Sequence, residues 1–187
     1  MTLGEAYIYG KTTLQNANIE TFTFDTMCIF MNCFGKTRTD LAYCRAEQAN
    51  EEALRKFIND INKRKMNYPL QYILGKWSFM GLDFLVGEGV LIPRDDTEVL
   101  VRTALSLIEN VKKPKIIDLC AGSGAVGISL AKARPDADVI AVELSDIAFD
   151  YLQKNIVINE IKNVKPIQGD ILKDFTVISQ CKFDLIV

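Results

Sequence analysis

Histidine is missing from the 187 residues. Its absence removes the usual base of a nucleophilic triad and the commonest metal ligand. Cysteine is sparse. Cys28, Cys33, Cys44, Cys120 and Cys181 are odd in number, and no two have Cys-x-x-Cys spacing. That pattern argues against a disulfide framework and against a zinc knuckle, and it fits a reducing cytoplasm. No apolar run approaches the roughly 18–20 residues that cross a bilayer. Residues 1–13 lack the basic region and apolar core of a secretion signal. The expectation is a cytoplasmic chain with no membrane partner and no metal. Excess positive charge is also lacking. At a net charge of −2, no global basic field attracts nucleic acid. The local cluster Lys63-Arg64-Lys65 reads as the solvated end of a helix, where cations meet the negative dipole end.

Apolar residues make up 49% of the chain and charged residues 25%, enough for one compact domain, or a small one and most of another. Three parts are distinguishable. Residues 1–67 read as four short helices, a small bundle. The spacing of Phe24, Met27, Cys28, Phe30, Met31 and Phe34 is helical and Gly35 closes it. Thr39 is placed to cap a short helix. Asn50 is placed to cap a longer one carrying Ala53, Leu54, Phe57, Ile58 and Ile61 on one face. The aromatic and methionine positions here read as packing.

Residues 68–97 change character. Tyr72-Ile73-Leu74 with Trp77 and Phe79, then Leu82, Phe84 and Val86, suggest two short strands and a turn. Asp95 or Asp96 could cap a helix over 97–110 with Val99, Leu100, Ala104, Leu107 and Ile108 as its apolar face. Residues 98–187 alternate strand and helix: strands 116–119, 139–142, 164–168 and 183–187, helices 125–134 and 146–159. Near-continuous apolar strands alternating with helices imply a parallel sheet covered on both faces.

The most informative run is Asp118-Leu119-Cys120-Ala121-Gly122-Ser123-Gly124, between a strand and a helix. Two ligands compete for it. Gly122-x-Gly124-x-x-Gly127, with Glu143 19 residues past Gly124, matches a dinucleotide fingerprint and so NAD. The carboxylate of Asp118 sits awkwardly beside a pyrophosphate but suits a ligand with a sulfonium and an amino group, S-adenosylmethionine. Glu143 would accept from ribose hydroxyls and Asp170 would meet the adenine amino group. All three acids end consecutive strands, where open α/β sheets bind ligands. That coincidence favours the methyl donor. Cys120 has no histidine partner and reads as a small buried thiol, not a nucleophile.

With these residues in view, the sequence resembles the N5-glutamine methyltransferases that modify peptide-chain release factors. The resemblance runs through Tyr68-Pro69-Leu70-Gln71-Tyr72-Ile73-Leu74-Gly75, Phe79-Met80-Gly81-Leu82, and Gly89-Val90-Leu91-Ile92-Pro93-Arg94-Asp95-Asp96-Thr97-Glu98. It continues through the glycine turn, Ala141-Val142-Glu143, Asn163-Val164, Gly169-Asp170 and Phe183 to Val187. It implies an α/β fold: a helical substrate-recognition domain (1–67), a β-hairpin linker (68–97), and the first half of a doubly wound, Rossmann-like methyltransferase domain (98–187). Cys120, Ala121, Gly122, Ser123 and Gly124 would line the methionine and ribose part of S-adenosylmethionine, and Asp118 would bind the cofactor with them. Glu143 would hold the ribose, Asp170 and Ile171 would flank the adenine, and Arg94, Thr97 and Glu98 would shape the site from below.

The chain departs from the family pattern in places. Cys120 stands where the family often has glycine, Asp95-Asp96 replaces a Pro-acid pair, and Ile171 occupies a position that is sometimes aromatic. The family's catalytic Asn-Pro-Pro-Tyr would follow the fourth strand, and the sequence stops at Val187 before it. The expectation is therefore the N-terminal portion of the enzyme, with weak cofactor binding, no catalytic residue and no turnover of its own. Its fourth strand would be a sticky sheet edge. The resemblance implies release factors as partners, no direct contact with nucleic acid, and a monomer when complete. An adenine N6-type nucleic-acid methyltransferase and a non-catalytic release-factor-binding remnant are the alternatives.

Overall fold

The computed structural model describes residues 1–173 and 182–187, so Cys181 lies outside the described residues. Two units separate between Gly75 and Lys76. The first is helical throughout: α1 (Leu3–Asn16), α2 (Phe22–Phe34), α3 (Arg38–Cys44), α4 (Glu51–Lys65) and α5 (Leu70–Leu74). Local chemistry sets most of the ends. Thr2 forms a capping box with Glu5, and Asn50 Oδ1 accepts the N–H groups of Glu52 and Ala53 at 3.0 and 3.1 Å. Gly35 ends α2 in the left-handed region. The cap of α3 is Thr37, not Thr39, because a Thr37–Asp40 pair closes a reciprocal box.

The core of this unit is aromatic. Phe30 packs on Phe34 and Phe57 with ring centroids 4.8 and 6.1 Å apart. The basic cluster is not all solvated. Arg64 is mostly buried and its Nε donates to the buried Asp25 at 2.6 Å, while Lys63 and Lys65 are exposed. Residues Tyr72, Ile73 and Leu74 are helical, not extended. Pro69 starts the turn of helix and Gly75, at φ 73°, stops it.

The second unit opens on a hairpin, β1 (Lys76–Phe79) and β2 (Leu82–Leu85), antiparallel with Trp77 opposite Phe84. Its two-residue turn, Met80-Gly81, has both residues at positive φ, matched to the twist of the flanking strands. Helix α6 (Asp95–Leu107) begins at the acids expected to cap it. Arg94 is the N-cap and makes no side-chain cap bond. Val101 and Ala104 of α6 and its C-cap Ile108 are buried, and Val99, Leu100 and Leu107 are exposed. Ala104 and Ile108 of the expected face meet the core, and Val101 joins them in place of Val99, Leu100 and Leu107.

Then β3 (Lys115–Leu119), α7 (Ala125–Ala133), β4 (Asp138–Glu143), α8 (Asp146–Ile158), β5 (Val164–Gln168) and β6 (Leu185–Ile186) follow. The sheet is parallel in the order β5-β4-β3-β6. In this sheet β6 is an outer strand beside β3, and Ile186 is exposed. Proline lacks an N–H, so Pro166 is tolerated in β5, the opposite outer strand. Ile116, Val139, Ile128, Leu130 and Leu152 form the centre of the core. No helix among the described residues is long and apolar enough to cross a membrane.

Candidate cofactor site

Strand β3 delivers Asp118 to the start of the glycine turn, with 4% of the residue exposed. Its Oδ2 accepts the Gly127 N–H of α7 at 2.8 Å. A Cβ at position 127 would lie 2.9 Å from that oxygen, so glycine is required for this close approach. Burial pushes the Asp118 carboxyl up to about 7. The Gly127 bond opposes the rise and the charge of Glu143 adds to it. Asp118 thus works first as a buried tie between β3 and α7.

The turn itself is held in left-handed conformations at Cys120 (φ 60°), Gly122 (φ 57°) and Gly124 (φ 81°). Cys120 is exposed, contrary to the buried thiol expected for it. A side chain in the left-handed region costs roughly 1–2 kcal/mol. Gly124 is constrained twice over, since a Cβ there would also fall 2.5 Å from Leu152 Cδ1. The Ala121 N–H donates to Val142 O at 2.9 Å, which ties the turn to β4.

Glu143 ends β4 beside this turn. Its Oε2 accepts the Gly122 N–H at 2.7 Å, and its Oε1 accepts the N–H groups of Leu144 and Ser145 at 2.9 and 2.8 Å. A carboxylate offers about four acceptor positions, so three are engaged. Holding a pair of ribose hydroxyls requires Glu143 to release at least one backbone donor, the Gly122 N–H being the one on the turn side.

Next to Glu143 a cleft of about 250 Å³ opens, lined by Cys120, Val142, Leu144, Gly169, Asp170, Ile171 and Leu172. Cys120, Asp170 and Ile171 of the expected set therefore share one cleft. Asp170 accepts the Leu172 N–H at 2.9 Å and pairs with Lys173 at 3.2 Å, and the two contacts hold its carboxyl below the usual range. An ionised acceptor against apolar walls suits a flat heterocycle carrying an amino group.

Arg94, Thr97 and Glu98 do not line that cleft. Arg94 O accepts the Thr97 N–H at 2.9 Å in the first turn of α6. Glu98 Oε1 accepts the Met80 N–H at 2.9 Å and its Oε2 pairs with Arg102 at 2.6 Å. Glu98 fixes the hairpin turn to α6. No group of metal ligands occurs among the described residues.

Residues 5–75 match the PrmC N-terminal domain family, and residues 112–185 match the methyltransferase family Methyltransf_4. The release factor glutamine methyltransferase of Clostridium acetobutylicum is 36% identical over 188 residues, 100% of this chain and 66% of the relative. That of Clostridium botulinum is 34% identical with the same coverage. The chain belongs to the release factor glutamine methyltransferase family. It spans about two thirds of the length of these two family members. A solved S-adenosylmethionine-dependent methyltransferase from Agrobacterium tumefaciens has a TM-score of 0.50, over 60% of this chain and 38% of its own, at 20% identity. That likeness concerns the fold.

The glycine turn, Glu143, Asp170 and Ile171 all fall in the 112–185 match, whereas Arg94, Thr97 and Glu98 lie between the two matched stretches. Sequence reasoning missed the cleft walls Val142, Leu144, Gly169 and Leu172, and it missed Asn155 of α8, which contacts the turn. A polar residue between Leu152 and Ile156 on a buried helical face was the available signal for Asn155.

Proposed function

We propose that this chain is the cofactor-holding portion of an S-adenosylmethionine-dependent protein-glutamine methyltransferase. Its substrate would be the glutamine side-chain amide in the Gly-Gly-Gln loop of peptide-chain release factors. The observation that carries the cofactor is the grouping of a glycine turn, Glu143 and an acid-edged apolar cleft at the carboxyl ends of parallel strands. Family membership supports the substrate.

The donor set fits this cofactor. Glu143 would take the ribose hydroxyls, Asp170 the adenine amino group, and Val142, Leu144, Ile171 and Leu172 the faces of the purine. Cys120, Ala121, Gly122, Ser123 and Gly124 would pass beneath the methionine part, with Asp118 in the layer below. Arg94 and Thr97 would set the start of α6, and Glu98 would hold the hairpin. When bound, the cofactor supplies a methyl group on a sulfonium centre, open to in-line attack by a nitrogen. The chain's own contribution is positioning: an oriented turn, a carboxylate on each side of the nucleoside, and apolar walls that exclude water.

Calorimetry separates the two nucleotide readings. S-adenosylmethionine is expected to bind and NAD is not; binding of NAD alone would overturn the cofactor assignment. The substrate is tested with the complete protein. Labelled methyl should appear in a release factor and disappear when its Gly-Gly-Gln glutamine is replaced. Label that persists after that replacement places the modification elsewhere.

A further inference from the structure

Helix α8 carries the buried Asn155, and its C-cap one turn later is a second buried asparagine, Asn159. A buried amide must find partners or cost stability. Asn155 Oδ1 accepts the Leu85 N–H at 2.7 Å, and its Nδ2 donates to Leu85 O at 3.1 Å and to Ser123 O at 2.9 Å. Asn159 Nδ2 donates to Asp83 O at 2.8 Å and to Asn155 O at 2.9 Å. Together they occupy the edge of β2 that faces away from β1, as a neighbouring strand would. Asn155 alone continues to the glycine turn.

That third bond falls on a sensitive peptide. The Ser123–Gly124 unit lies next to a glycine, whose backbone has little intrinsic preference to keep it in place. Two partners pin it. Its N–H donates to Ala121 O at 2.8 Å, and its carbonyl accepts from Asn155. Without the asparagine the plane has one anchor and is free to turn about it.

We propose that Asn155 is a positioning residue of the cofactor site, which locks the Ser123–Gly124 peptide and couples the turn to strand β2. This rests on the turn being the cofactor turn, as proposed above. The amide is suited to the task because it offers one acceptor and two donors to one N–H and two carbonyls. An aspartate would set an acceptor oxygen against both carbonyls.

The two asparagines supply the test. Asn155→Ala and Asn159→Ala each remove a link between α8 and the hairpin, but only Asn155→Ala frees the turn. S-adenosylmethionine affinity of the full chain is measured by calorimetry at a temperature where circular dichroism shows each variant folded. Asn155→Ala should weaken binding by about tenfold or more, and Asn159→Ala should change it by less than about twofold while lowering the melting temperature. Equal losses in the two variants, or an unchanged affinity in Asn155→Ala, would reduce Asn155 to a structural role. If Asn155→Ala does not fold, amide exchange in the unsubstituted chain decides. Cofactor should slow exchange at Leu85 together with the turn, and slowing confined to the turn overturns the coupling. An unsubstituted chain that binds no S-adenosylmethionine defeats the proposed function itself, and this inference with it.

Discussion

Asp118 ties two elements of the fold together next to the proposed cofactor turn. Its carboxyl is buried, accepts one backbone N–H, and faces the charge of Glu143. Its pKa stands near 7 in the folded chain against about 4 in an unfolded one. Between those values the folded state keeps a proton that the unfolded state has released. This group's contribution to stability therefore falls as pH rises from about 4 to about 7, then levels off. Asp118→Asn keeps an acceptor for Gly127 and removes the titration. Denaturant unfolding at about pH 5 and about pH 8 should show the original chain losing stability relative to the variant as pH rises. An unchanged difference would mean that Asp118 is ionised throughout.

At the scale of elements, context overrides intrinsic preference in the first unit. Residues 72–74 have extended-chain propensity but lie between Pro69 and a left-handed Gly75, and they close into a helical turn. Gly10 makes the same point within α1. A helix interior normally gains about 1 kcal/mol when glycine becomes alanine. Here the added Cβ would stand 2.7 Å from Phe57 Cζ, 3.0 Å from Thr26 Cγ2 and 3.1 Å from Ile61 Cδ1. Phe57 and Ile61 are fully buried and cannot yield cheaply. Overpacking costs about 1–3 kcal/mol, so Gly10→Ala should lower stability despite its better propensity. Thermal melts by circular dichroism would test this, and a raised melting temperature would show that the three side chains can move aside.

At the scale of the molecule, ligand binding is read through linkage. The single tryptophan, Trp77, lies in the hairpin of the second unit. A ligand that binds only the folded state at 100 times its dissociation constant adds about 2.7 kcal/mol. For a chain of this size that corresponds to a rise of roughly 5–10 °C in melting temperature. Saturating S-adenosylmethionine should move the Trp77 fluorescence transition by that amount. A transition that stays in place would count against the cofactor reading.

Much of the fold was legible because its signals are short-range. The apolar strands β3 and β4, the glycine turn before α7, the Asn50 cap and the Met80-Gly81 turn depend on residues within a few positions of one another. So does the placing of acids at strand ends, on which the proposed cofactor assignment rests. The sequence by itself therefore determined the α/β alternation and the conformational demand of the turn. Only the tertiary structure decided what each polar side chain faces. Asn155 reaches Ser123 and Leu85 across 32 and 70 positions, Arg64 reaches Asp25 across 39, and Glu143 folds back onto Gly122. Such partners leave no periodic trace. A buried hydrogen bond is selected by the three-dimensional need to satisfy a donor or acceptor, and that need exists only once the elements have packed.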